Sequence, residues 1–191
     1  MTRRRVIFVD PDIWTTRKDR SMTENHTAPN HGDNRRAAAL IAHRANGSIE
    51  GIDFVMRQSN QLNRSTQLLR ATLNAYRHIT GELRTDHALT AMAQFIELCA
   101  KGEEGAGTDI RRAAQAVIAD VDHDLEAFNA ILIEANNDDQ AGGVMLGLLE
   151  LYSALLPELA TPYALQCLSQ WTVRIAGHED DETTGGGGSP S

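Results

Sequence analysis

The sequence predicts an all-α fold of about eight helices, built from two tandem copies of a four-helix unit. Residues 33–101 align on residues 109–177 at a constant offset of 76, without a gap and with 16 identities in 69 positions. Many other positions exchange one apolar residue for another, as in Ile41/Val117, Val55/Ile131, Met92/Leu168 and Phe95/Trp171. An ungapped self-match of this length marks a duplicated structural unit. Apolar residues also recur three and four apart in both copies, the spacing of a helix face. Strand-like alternation is confined to residues 6–9.

The anchors of the match show where the elements begin and end. Asp33-Asn34-Arg35-Arg36-Ala37-Ala38 falls on Asp109-Ile110-Arg111-Arg112-Ala113-Ala114. The first helix is predicted to open on Asp33 or Asp109 as N-cap, whose carboxylate can accept the free amide hydrogens of the first turn. It continues through Ala37, Leu40, Ile41 and His43, or Ala113, Val117, Ile118 and Val121. In copy one Asn46-Gly47-Ser48 ends it, with Gly47 able to take positive φ and Ser48 placed to cap the next helix. Copy two has Asp122-His123-Asp124 and no glycine there, so its first two helices are expected to fuse.

The second helix places Ile49, Ile52, Val55 and Met56, or Leu125, Phe128, Ile131 and Leu132, on one face. It stops near Asn60-Gln61-Leu62-Asn63 and Asn136-Asn137-Asp138-Asp139. The third carries Leu69, Leu73 and Tyr76, or Met145, Leu149 and Tyr152, and is expected to end at Gly81 and Pro157, which stop helices by different means. Each tyrosine hydroxyl is expected to reach the following loop. The fourth opens on Thr85 or Thr161 as N-cap, with Pro162 suited to the first turn. It is expected to bury Leu89, Met92, Phe95 and Ile96, or Leu165, Leu168 and Trp171.

The domain plan is therefore a disordered segment 1–32, repeat one 33–101, a linker 102–108, repeat two 109–177 and a disordered acidic, glycine-rich tail 178–191. Met22 is an alternative start. The copies can pack face to face as a pseudo-two-fold bundle or stack as a short α-solenoid. The closed form is favoured, because two copies are few for a free-standing solenoid. The tetratricopeptide signature is not present.

Composition narrows the function. A net charge of −8 in 191 residues argues against a general binder of nucleic acid or anionic membranes. No apolar run approaches the roughly 20 residues that span a bilayer. The basic start Arg3-Arg4-Arg5 is followed by too short an apolar stretch for an export signal. Two cysteines, Cys99 and Cys167, do not make a disulfide framework, so a reducing cytoplasm is expected.

No catalytic constellation stands out, and no catalytic residue or cofactor is assigned. Gly102-Glu103-Glu104-Gly105-Ala106-Gly107 lacks the Lys-Ser/Thr ending of a phosphate loop. Asp120, His123 and Glu126 are spaced three apart, so on a helix they share a face as metal ligands do, and they are weak metal candidates. Charge is the remaining asymmetry. Copy one has 9 basic against 6 acidic residues and copy two 3 against 10. Arg57, Arg64, Arg70, Arg77 and Arg84 recur every six or seven residues, where copy two has Ile133, Gln140, Leu146, Ser153 and Ala160. These five arginines are the candidate interaction residues. The apolar counterparts Ile133 and Leu146 suggest that copy two buries or docks the equivalent surface.

The sequence thus points to a cytoplasmic, non-enzymatic helical protein that binds a protein partner or a second copy of itself as a homo-oligomer, with no membrane contact. Nucleic-acid association through the arginines is the alternative, and metal-dependent hydrolysis near His123 a third.

Overall fold

The computed structural model describes residues 28–103, 105–138 and 141–184. They form eight α-helices: α1 (His31–Ala45), α2 (Ile49–Gln61), α3 (Ser65–Leu83), α4 (Asp86–Lys101), α5 (Thr108–Val121), α6 (Leu125–Asn137), α7 (Ala141–Leu155) and α8 (Pro162–Thr184). A 3-10 turn, Pro157–Ala160, joins α7 to α8, and no strand occurs among the described residues. The expected flanking segments 1–27 and 185–191 lie outside the described residues. His31 and Gly32 belong to α1, and residues 178–184 continue α8.

Helix bounds recur along the chain. Shifted by 76, α2 coincides with α6, while α1 and α5 share their end and the pairs α3/α7 and α4/α8 share their start. The expected fusion of α5 with α6 does not occur. His123 takes a left-handed φ of 56°, beside 68° at Gly47. A residue with a Cβ costs about 1–2 kcal/mol there. The surroundings hold it in place: the Asp124 amide donates to the Ala119 carbonyl at 2.8 Å, and the Asp124 carboxylate caps α6 by accepting from the Ala127 amide at 2.9 Å. Ser48 makes the matching cap on α2 with the Gly51 amide, at 3.2 Å.

Three other expectations change. Asp33 is not the N-cap of α1. Asn30 is, and Asp33 lies three residues on in a reciprocal capping box with it. α5 opens on Gly107 without a side-chain cap, so Asp109 is not a cap either. Gly81 does not end α3, which runs to Leu83. Gly81 keeps a helical backbone there, and a single helical glycine lowers stability without forcing a stop. Thr85 and Thr161 do cap the fourth helices, accepting from the Ala88 and Ala164 amides at 3.4 Å.

α1 packs on α2 and α3, and α5 on α6 and α7. The fourth helices instead reach across: α4 packs on α5, and α8 on α1 and α3. First and last helices therefore touch, and the chain closes on itself. Leu40, Ile41, Met56, Leu68, Tyr76, Ile79, Met145, Leu148, Leu149 and Leu156 are fully buried between them. Each such side chain gains about 1.5–3 kcal/mol over exposure. α4 is covered less than expected, since Ile96 and Cys99 are buried but Leu89, Met92 and Phe95 only partly. α8 buries Leu168 and Trp171 and leaves Leu165 half-buried. Both cysteines are buried.

Glycine sets the closest approach. A Cβ on Gly147 would stand 2.9 Å from the Ile110 amide nitrogen and nearer still to the Asp109 carbonyl, so α7 lies directly against the backbone of α5. Gly143, one turn earlier, makes room for the Asp109 side chain. A compensating pair occurs between α1 and α2, where the His43 ring occupies the space a Cβ on Gly51 would need. The matching positions in copy two are Ala119 and Ala127. None of the described helices is long and apolar enough to cross a membrane.

Candidate interaction surface

The one aromatic residue common to both third helices lies at the centre. Tyr76 and Tyr152 stack with ring centroids 4.1 Å apart and planes 6° from parallel. Burial holds both phenols protonated, pushing Tyr152 up to about 12 and Tyr76 further still. The expected reach of Tyr76 to a loop does not occur. Its hydroxyl is enclosed and meets no protein hydrogen-bond partner among the described residues. Arg44 donates to the Ser153 hydroxyl at 3.0 Å, and Arg77 pairs with Asp120. Position 44 matches 120 and position 77 matches 153, so these two ties join the same pair of sites in opposite order.

The five candidate arginines do not form one free patch. Arg57 pairs with Asp53 on its own helix at 2.5 Å and stays largely exposed. Arg64 reaches Asp33, which is fully buried, and also donates to the Ala28 carbonyl at 3.3 Å. Arg77 holds Asp120, while Arg84 pairs with Glu158 and donates to the Leu155 carbonyl at 2.9 Å. Arg70 is half-buried and is engaged as well. The basic charge of copy one thus meets acidic charge of copy two in part within the molecule, at Arg77–Asp120 and Arg84–Glu158.

Asp33 collects the densest set of polar partners. Burial, the largest single influence, raises its pKa. The Arg64 guanidinium, the Asn30 amide at 2.9 Å and Arg36 at 2.6 Å together outweigh that and hold the carboxyl below the usual aspartate range. Asn34, Ser59 and Ser65 of the same copy are also buried, and the two serine hydroxyls meet no protein partner among the described residues. Copy two replaces these three with Ile110, Ala135 and Ala141. There Arg112 turns outward to Glu134, at 2.8 Å, and to Asp138, which keep it firmly protonated against the cost of its burial. This polar end escaped the sequence reading. Its signal was present in the polar-to-apolar exchanges at those three positions.

Asp120, His123 and Glu126 do not share a helix face. The chain leaves α5 at Val121 and re-enters helix at Leu125, so Asp120 is on one helix, His123 in the turn and Glu126 on the next. Among the described residues no three His, Cys, Asp or Glu side chains converge as a metal site would need.

The outer faces of the two middle hairpins differ in kind. On α2–α3, Phe54 is 61% exposed, with Arg57, Gln58, Asn74 and Arg77 also exposed. The matching positions on α6–α7 are Ala130, Ile133, Glu134, Glu150 and Ser153, all exposed except the half-buried Ser153. Ile133 is 45% and Leu146 44% exposed, so copy two does not bury the surface that copy one lines with arginine. Fold and surface together define an all-helical protein with two unlike exposed hairpin faces. No family model, curated protein or solved structure matches the chain.

Proposed function

We propose that this is a non-enzymatic helical interaction protein, in which a duplicated four-helix unit closes about a pseudo-two-fold axis and the diverged middle hairpins dock a protein partner or a second subunit. The exposure of Ile133 and Leu146, where the equivalent positions carry Arg57 and Arg70, is the observation that carries the reading. Large apolar side chains grouped on a hairpin otherwise lined by carboxylates suit a protein contact of apolar centre and charged rim. The closed arrangement is supported by the stack of matching tyrosines, by the reciprocal ties 44–153 and 77–120, and by the fourth helices crossing to the opposite first helices.

Protein contact is favoured over nucleic acid because Arg64, Arg77 and Arg84 are held by carboxylates. A phosphate would have to compete with those internal partners, and counterion release rewards only charges that are available. The test is capture by the tagged protein from its own host, with and without nuclease. Specific proteins that survive nuclease and are lost with Leu146→Asp, the thermal melt being unchanged, are expected. A catch that vanishes with nuclease overturns the reading in favour of nucleic acid.

A further inference from the structure

We propose that the α2–α3 face of one chain docks on the α6–α7 face of a second copy, head to tail. This rests on the interaction reading above and names its partner. The two faces occupy matching places on matching helix hairpins but carry opposite chemistry. The first presents the exposed ring of Phe54 with Arg57 one turn along the same helix. The second presents Ile133 and Leu146, with Glu150 one turn beyond Leu146, all exposed, while Glu134 is held by Arg112.

Charge selects among the ways two copies can meet. First face on first face sets Arg57 against Arg57, and second on second sets Glu150 against Glu150. Only the mixed pairing brings Arg57 to Glu150 and Phe54 to aliphatic side chains. Like-charge contacts suppress wrong registers, while an aromatic ring with a neighbouring arginine suits an interface centre. Arg57 is suited to the part. Its pair with Asp53 holds the guanidinium in place, while 57% of the side chain remains open to a second carboxylate. Each copy offers both faces, so the contact is heterologous, and association proceeds to a ring or a short filament.

The experiment is sedimentation of the purified full chain over a range of concentration and salt. Wild type is expected to rise above its 20.9 kDa monomer mass with concentration, and less so at high salt. Phe54→Glu spoils the first face and Ile133→Arg the second. Each alone is expected to weaken association at least about tenfold, about 1.4 kcal/mol. Mixed in equal amounts, the two variants are expected to pair as heterodimers, since one intact face of each kind remains. Glu150→Arg, at an exposed site, serves as a second version of the Ile133 variant should that one fold poorly. Loss of association with Ile133→Arg but not with Phe54→Glu means like faces pair, and overturns the head-to-tail contact. A wild-type chain that stays monomeric at every concentration in low salt also overturns it. Continued capture of a host protein that depends on Leu146 then leaves the broader interaction reading standing.

Discussion

Tyr76 and Tyr152 occupy the same place in the two halves of the sequence and meet ring to ring, 4.1 Å apart, in the centre of the molecule. On the pseudo-two-fold packing proposed above, a residue on the axis meets its own counterpart. The stack carries a cost, because the Tyr76 hydroxyl is enclosed without a protein partner among the described residues. Tyr76→Phe is therefore expected to be neutral or to stabilise by up to about 1 kcal/mol, while Tyr76→Ala costs about 3–5 kcal/mol. Urea unfolding measures both, and a loss above about 1 kcal/mol for the phenylalanine variant would mean that the hydroxyl has a partner.

Stability should fall at both ends of the pH scale, for separate reasons. The folded-state pKa of Asp33 is depressed, so its contribution is present above the ordinary aspartate value and is lost as pH falls through the lower folded value. Tyr152 has a raised folded-state pKa, so its contribution is complete below about 10 and is lost as pH rises toward about 12, with Tyr76 extending the loss. Asp33→Asn is expected to lower stability at neutral pH and flatten the acid limb alone. An unchanged acid limb in that variant would remove Asp33 from the explanation.

Two glycines of third helices should behave oppositely when replaced by alanine. Gly147→Ala puts a methyl group into the backbone of Asp109 and Ile110 and should cost at least about 1–3 kcal/mol. Gly81→Ala, with nothing near its Cβ position, should stabilise by up to about 1 kcal/mol through helix propensity. Thermal melts of the pair are sufficient, and equal shifts would contradict the close α5–α7 approach.

His123 and Gly47 make the same backbone reversal with different residues. His123→Gly relieves a left-handed backbone and is expected to stabilise by about 0.5–1 kcal/mol, whereas Gly47→Ala should cost about 1 kcal/mol or more. Calorimetry of the two variants checks this. Destabilisation by the glycine at 123 would show that the imidazole makes a contact worth more than the strain.

The Arg77–Asp120 tie should contribute little to stability, because Arg77 is half exposed. A double-mutant cycle with Arg77→Ala and Asp120→Ala is expected to give a coupling of about 0.5–1 kcal/mol, reduced by salt. A coupling of several kcal/mol would indicate a far drier contact than the exposure implies.

Most of the helices were legible in the sequence, because their boundaries depend on local chemistry. The stripes Ile52–Val55–Met56 and Leu69–Leu73–Tyr76, the caps Ser48 and Thr85 and the stop after Gln61 act over one or two turns. Local rules failed where a turn closed without a glycine, or where a distant contact outweighed them. His123 adopts a glycine's conformation because Asp124 and Ala119 close the turn around it. Asp33 is buried at the third position of its helix because Arg64, thirty-one residues away, reaches it. The arginine series reads as a patch in one dimension, yet its members are distributed to Asp53, Asp33, Asp120 and Glu158 once the helices pack.

By itself the sequence determined the all-helical class, the matching order of helices in the two halves and the apolar faces of the first and third helices, since periodicity and capping need only neighbours along the chain; on the second helices Ile49 and Leu125, read as part of the buried stripe, are exposed. Only the tertiary structure decided that the fourth helices cross to the opposite first helices, that Tyr76 meets Tyr152, and that Ile133 and Leu146 stay in solvent while most of the candidate arginines find internal acids. Those outcomes depend on which faces win the competition for burial and for counter-charge, and that competition is between residues far apart in the chain.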